Sequence, residues 1–164
     1  MKEQTSAYLE KARELLDQAD TMLGVDLNEA AGRTAYLAGF HAAQALIFEN
    51  TGRVYKTHGG LQGEFSRLVK DDPRVDDQLR AFLGRSYNLK SIADYETGPT
   101  SHVSAESARE AIQTARRFVE RVAGLMPAQQ QPTLAERFGR SATREAEPGP
   151  EQDHERGNDH EPDV

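Results

Sequence analysis

Apolar residues recur every three or four positions through most of the first 124 residues, with no two-residue alternation typical of a strand. This pattern predicts an all-α fold built from five helices, four of them long and the third short. The predicted helices cover approximately residues 5–23, 28–50, 60–69, 75–95 and 104–124.

Residues that favour helix ends separate these segments. We expect Asn28 to cap the second helix, Thr57 the third and Ser104 the fifth, because their side-chain oxygens can accept from free backbone amides. Thr51-Gly52 should end the second helix, since glycine readily adopts a left-handed turn. The second helix is apolar around much of its circumference, so we predict that it is the central, most buried one.

The composition changes after Met126. Residues 127–164 contain nine acids and four arginines, with few large apolar side chains. Such a segment buries too little surface to offset its ordering entropy, so we predict a folded domain at 1–126 and a disordered acidic tail at 127–164. The total charge of −7 leaves only −2 for the folded part, which excludes a protein that coats nucleic acid by charge alone but not a local basic patch.

The chain has no cysteine, so it has no disulfide framework and no thiolate metal site. No apolar run approaches the length that spans a bilayer, and the first residues are too polar for a secretory signal. We therefore expect a cytoplasmic protein without membrane association, and we predict neither a metal site nor a cofactor.

The loop after the second helix gathers candidate binding residues. Arg53, Lys56 and His58 lie beside Tyr55, directly before two glycines that begin a helix. Free amides at a helix N-terminus and nearby cations suit an anion such as the phosphate of a nucleotide or RNA. An ordinary capped turn explains the same residues.

Lys90, Asp94 and Tyr95 form a second candidate group within six residues of the fourth helix. In a binding interpretation, Lys90 contacts phosphate and Tyr95 stacks on a base. Alternatively, Lys90 and Asp94 form an i,i+4 surface ion pair and Tyr95 anchors the helix end. We interpret His41 as a histidine at the edge of the core, bonded to a neighbouring helix; an acid–base group is the alternative.

Four segments together resemble the HEPN family (higher eukaryotes and prokaryotes nucleotide-binding domain). They are RTAYLAGFHAAQALIFENTG from residue 33, KTHGGL from 56, SIADYETG from 91 and AIQTARRFV from 111. The resemblance implies an up-and-down helical bundle that is usually a homodimer. It also implies a gene beside a minimal nucleotidyltransferase, and so one half of a toxin–antitoxin-like pair that binds RNA or nucleotide.

RNA-cleaving members of the family carry an arginine and, after four to six residues, a histidine near the fourth helix. The corresponding segment here runs from Lys90 to Tyr95, with lysine in place of arginine and Asp94 or Tyr95 in place of histidine. Lysine lacks the bidentate guanidinium, and tyrosine titrates too high to act as a base at neutral pH. The resemblance therefore implies a degenerate ribonuclease motif; whether a partner modifies Tyr95 is left open.

Two alternatives remain. Arg53 and His58 also have an Arg-x4-His spacing, so they are candidate catalytic residues of a metal-independent endoribonuclease. The other alternative is a non-catalytic adaptor whose acidic tail docks a basic partner or shields the domain's own groove. Deleting residues 127–164 would then change partner binding with a steep dependence on salt.

Overall fold

The computed structural model describes residues 1–95 and 102–127, apart from the side chains of Asp94 and Tyr95. Beyond residue 127, the predicted acidic tail lies outside the described residues. The described part forms an all-α, up-and-down bundle of four long helices and one short helix, as predicted. The helices are α1 (Glu3–Gly24), α2 (Asn28–Thr51), α3 (His58–Val69), α4 (Asp77–Tyr95) and α5 (Ala105–Gly124).

Helix α2 is the centre of the bundle, because it contacts each of the other four helices. Its small residues permit this close packing. Gly39 is the tightest point: a Cβ atom there would collide with the ring of Phe82 on α4. The predicted central position of α2 is confirmed, and the alanines that line it are fully buried: Ala31, Ala35, Ala38, Ala42, Ala43 and Ala45.

Three phenylalanine rings join α3, α4 and α5. The Phe118 ring centroid lies 5.2 Å from that of Phe65 and 4.6 Å from that of Phe82. All three side chains are buried. Aromatic pairs at these separations add to the free energy gained from burial alone, so this cluster fixes α3 and α4 against α5.

The predicted caps of two helices are confirmed. The Thr57 hydroxyl accepts from the Gly60 amide at 3.3 Å, and the Ser104 hydroxyl accepts from the Ser107 amide at 3.0 Å. Gly52 ends α2 with a φ of 70°, as expected of a glycine in a left-handed turn. Because Thr57 caps α3, that helix begins at His58, two residues before the predicted start.

The prediction that Asn28 caps α2 is wrong. Leu27 occupies the cap position without a side-chain hydrogen bond, and Asn28 is already the first helical residue. The Asn28 Oδ1 atom is buried and has no hydrogen-bond partner among the described residues. Helix α2 therefore begins at Asn28, one residue earlier than the capping pattern indicated. Among the described residues, no helix is long and apolar enough to cross a membrane.

Candidate functional site

His58 is the first residue of α3 and joins that helix to α2 and α4. Its Nδ1 atom is hydrogen-bonded to the Tyr36 hydroxyl of α2 at 2.8 Å. Its ring stacks on Tyr87 of α4, with centroids 4.0 Å apart and planes 21° from parallel. The hydrogen bond with Tyr36 and the stacked Tyr87 ring thus hold the imidazole in one orientation.

Lys90 extends this arrangement towards solvent. It lies one helical turn after Tyr87, and its Nζ atom is 5.8 Å from the centroid of the Tyr87 ring. His58 and Lys90, predicted from separate segments of the chain, therefore meet through Tyr87. We call the group formed by Tyr36, His58, Gln62, Tyr87 and Lys90 the His58 cluster.

The electrostatics of the cluster fix its protonation. Burial lowers the pKa of His58, a hydrogen bond with the Gln62 side chain opposes this, and the Lys90 charge adds to the lowering. Burial and the neighbouring Tyr87 raise the pKa of Tyr36 to about 12. At neutral pH the imidazole is therefore neutral and the phenol protonated, and the tautomer of the imidazole decides which of the two groups donates in the Tyr36–Nδ1 hydrogen bond.

A buried glutamine holds the loop that precedes His58. Gln44 of α2 donates from Nε2 to the Arg53 carbonyl at 3.0 Å and accepts at Oε1 from the Tyr55 amide at 2.9 Å. The Arg53 and Lys56 side chains are exposed. Helix geometry leaves the first amides of α3 without intrahelical acceptors, and the Thr57 hydroxyl satisfies only that of Gly60. The loop therefore presents two exposed cations shortly before the start of α3.

The Gln44→Leu variant should lose about 2 kcal/mol of unfolding free energy, because the change leaves one carbonyl and one amide of the loop without partners. Urea unfolding followed by circular dichroism measures the loss. Gln113→Leu, on the exposed side of α5, is the matched control and should change stability by less than about 0.5 kcal/mol. A Gln44→Leu variant as stable as this control would show that the loop does not depend on Gln44.

The structure does not bring Arg53 to His58. In the described part of the chain, the Arg53 guanidinium makes no hydrogen bond or ion pair with the His58 ring. The Arg53 charge acts on Glu64 instead: a hydrogen bond from Arg67 lowers the pKa of that carboxylate, and Arg53 adds in the same direction. The Arg-x4-His spacing in the sequence therefore does not correspond to a contact between the two side chains.

Two of the predicted site residues cannot be placed beside the cluster. Asp94 and Tyr95 end α4, but their side chains lie outside the described residues. Their predicted contacts with Lys90 and with a base stay predictions.

The surroundings of His41 differ in part from those predicted. It stacks with Tyr8 of α1, ring centroids 6.2 Å apart, so its position at the edge of the core is confirmed. Its Nδ1 atom, however, is buried without a hydrogen-bond partner among the described residues, and the expected bond to a neighbouring helix is absent at that atom. Burial, with a smaller effect of Lys11, lowers the pKa of His41.

Sequence reasoning missed Tyr36 and Tyr87 as members of the site. A usable signal existed for Tyr36, because a buried phenol needs a hydrogen-bond partner and His58 belongs to a segment that packs nearby. Tyr87 offered no such signal, since its role depends on the angle between α3 and α4. Within residues 1–95 and 102–127, no three His, Asp or Glu side chains are grouped as metal ligands.

Comparison with known proteins agrees with this architecture. The sequence model of the HEPN domain matches residues 5–125. A Methanocaldococcus jannaschii protein named "Putative toxin MJ0605" is 30% identical over 122 residues, which are 74% of this chain and 88% of that protein. A "UPF0332 protein" of Thermotoga maritima is 26% identical over 116 residues, covering 71% and 86% of the two chains.

A solved structure is also similar. The crystal structure of TT1696 from Thermus thermophilus superposes with a TM-score of 0.66 at 22% identity, covering 76% of this chain and 100% of that one. At this identity the likeness concerns the fold. Since the family match spans nearly the whole described bundle, the chain belongs to the HEPN domain family.

Proposed function

We propose that this protein binds RNA or nucleotide phosphate at the His58 cluster, as the HEPN half of a toxin–antitoxin-like pair with a nucleotidyltransferase. The observation that carries the proposal is the contact of His58, Tyr87 and Lys90. It brings together an aromatic face, an imidazole and an ammonium at His58, the first residue of α3. Stacking rings beside cations are the usual components of a single-strand binding surface.

The chemistry of the cluster favours binding over cleavage. Phosphoryl chemistry on RNA needs a cation that stabilises the phosphate in the transition state and a base within reach of the attacking hydroxyl. Here the cation beside His58 is a lysine, and Arg53 is not in contact with the histidine. The Nδ1 atom of His58 is also engaged in the hydrogen bond with Tyr36. The residues thus support a degenerate ribonuclease motif.

The pairing with a partner rests on the relatives. One relative carries the word toxin in its name, and the proposal gives this chain a neutralising partner on that ground. The proposed partner is a nucleotidyltransferase, and the proposed assembly state of this chain is a homodimer. Co-purification of the chain with the product of an adjacent nucleotidyltransferase gene tests the pairing; separate elution of the two proteins would contradict it.

Lys90→Ala should weaken the binding of a labelled single-stranded oligouridine by about tenfold, because it removes one charge-assisted phosphate contact. The slope of log affinity against log salt should fall by about one. Fluorescence anisotropy at several salt concentrations measures both quantities.

Lys70→Ala is the matched control, since Lys70 is exposed at the end of α3 and pairs only with its neighbour Asp71 among the described residues. It should bind like the wild type, and circular dichroism should show equal helicity in all three proteins. If Lys90→Ala and Lys70→Ala bound oligouridine with equal affinity, the assignment of Lys90 to the binding site would be contradicted.

A metal-independent ribonuclease is the second candidate, and one observation favours it. The lowered pKa keeps His58 neutral, and the hydrogen bond with Tyr36 orients the ring; in the tautomer that donates from Nδ1 to the phenol oxygen, Nε2 has the lone pair that a general base requires. Induced expression in a bacterial host, with His58→Ala as control, tests this candidate. RNA fragmentation that persists in chelator and disappears in His58→Ala would establish it; intact RNA in both strains would exclude it.

A further inference from the structure

Gln62 lies one helical turn after His58 on α3, so the two side chains project from the same face of that helix. The Gln62 side chain is hydrogen-bonded to the His58 ring. Because the Nδ1 atom of that ring is already engaged with the Tyr36 hydroxyl at 2.8 Å, the ring nitrogen that remains for the Gln62 amide is Nε2. Both nitrogens of the imidazole therefore have a protein partner.

Gly84 of α4 leaves room for the Gln62 amide. A Cβ atom at Gly84 would lie 2.9 Å from the Gln62 Nε2 atom and 3.9 Å from its Cδ atom, whereas the Gln62 carbonyl oxygen is farther than 4 Å from that position. The amide nitrogen thus faces α4, and the carbonyl oxygen is turned away from it. Gly84 lies one helical turn before Tyr87, whose ring stacks on His58, so the amide and the imidazole pack against the same face of α4.

The effect of Gln62 on the ring indicates the direction of their hydrogen bond. Burial lowers the pKa of His58, whereas the bond with Gln62 acts to raise it. A hydrogen bond raises the pKa of an imidazole when the ring nitrogen is the donor, because the bond then stabilises the protonated form. The Gln62 carbonyl oxygen can accept such a bond. These observations favour a neutral ring with its proton on Nε2, which leaves the Nδ1 lone pair for the Tyr36 hydroxyl.

We propose that Gln62 is a positioning residue that holds the neutral His58 ring in the tautomer with its proton on Nε2, so that both ring nitrogens are engaged. In this tautomer the imidazole has no free lone pair. His58 then offers a ligand its ring, stacked on Tyr87, but not the base that cleavage of RNA requires. This role of Gln62 rests on the proposed function of the His58 cluster and separates it from the ribonuclease candidate.

Heteronuclear NMR of protein with isotope-labelled histidine rings tests this role, because protonated and unprotonated ring nitrogens give well-separated signals. No ligand is present, and a His58→Gln variant assigns the signals. In the wild type, we expect the neutral ring to carry its proton on Nε2. Gln62→Leu removes the acceptor, so the ratio of the Nδ1-protonated tautomer to the Nε2-protonated one should rise about tenfold, as expected for the loss of one hydrogen bond. The pKa of His58 should fall.

Gln62→Glu is the conservative variant, because an ionised carboxylate can only accept a hydrogen bond. It should keep the wild-type tautomer and raise the pKa of His58, since a negative charge favours the imidazolium. Tyr36, Tyr87 and Lys90, the other titratable groups that face the ring, are the same in both Gln62 variants. A purely structural role of Gln62 would not produce opposite shifts of the pKa of His58.

Gly84→Ala should reproduce the effect of Gln62→Leu with Gln62 itself unchanged. The new Cβ atom displaces the flexible end of the Gln62 side chain, and alanine favours a helix over glycine, so the chain stays folded. The tautomer ratio and the pKa of His58 should shift in the same direction as in Gln62→Leu. Gly63→Ala is the matched control, because a Cβ atom there meets no atom within 4 Å.

Two results would overturn the role of Gln62: a wild-type ring with its proton on Nδ1, or equal tautomer ratios in the wild type, Gln62→Leu and Gly84→Ala. Binding of oligouridine is measured separately on the same proteins. If the tautomer ratios change as expected and the wild type binds no oligouridine, the proposed function fails and the control of the tautomer by Gln62 stands. If oligouridine binds and the ratios are equal, the reverse holds.

Discussion

Replacing Phe118 with alanine is expected to lower the free energy of unfolding by about 3–5 kcal/mol. The Phe118 side chain is 1% exposed, and its ring packs against those of both Phe65 and Phe82. Its removal takes away the transfer free energy of a large ring and leaves a cavity where α3, α4 and α5 meet. Urea unfolding followed by circular dichroism measures the loss.

Phe48→Ala is the control for this prediction, because the same substitution there removes a partly exposed ring. Phe48→Ala should lose clearly less unfolding free energy, because the Phe48 ring buries less apolar surface and solvent can fill the space that it leaves. If Phe118→Ala lost less unfolding free energy than Phe48→Ala, the result would contradict the assignment of Phe65, Phe82 and Phe118 to the core of the bundle.

Gly39→Val is the second substitution with a large expected effect. A Cβ at this position collides with the Phe82 ring, so α2 and α4 must separate or the ring must leave its stacked position on Phe118. We expect a loss of about 3 kcal/mol, the upper part of the range for overpacked cores. The movement of α4 should also displace Tyr87 and Lys90, and binding of oligouridine should weaken together with stability.

Gly63→Val provides the matched comparison for Gly39→Val. Gly63 lies on the exposed side of α3, and a Cβ there meets no atom within 4 Å. Valine should change stability by no more than about 0.5 kcal/mol at this site. Equal stabilities of the two variants would show that α2 and α4 are not as close at Gly39 as the structure places them.

The fold follows from the sequence to a large extent, because helical periodicity and capping chemistry are local properties. The apolar circumference of α2 predicted its central place, and the hydroxyls of Thr57 and Ser104 predicted two helix starts. Asn28 was misleading because a good capping residue does not by itself decide where the turn from α1 enters the next helix. That choice depends on packing between helices, which the local pattern does not contain.

The candidate site was only partly predictable, for the same reason. His58 and Lys90 were recognised as polar residues beside helix ends, but their contact requires Tyr87, whose position depends on how α3 crosses α4. The role of Gln44 could not be predicted, because the hydrogen bonds of a glutamine on an apolar helix face depend on the position of the loop that it binds. The site thus depends on contacts between segments that are distant in sequence, and the local sequence pattern does not predict such contacts.

The most direct test of the central claim is an NMR titration with a short single-stranded oligouridine, observing the imidazole ring signals. The chain has 5 histidines, so these signals can be assigned one by one with His→Gln variants. His102, bonded to Glu29 outside the His58 cluster, serves as the internal reference. We predict a saturable shift of the His58 signal with that of His102 unchanged. Absence of any His58 shift at saturating oligouridine would contradict the proposed site.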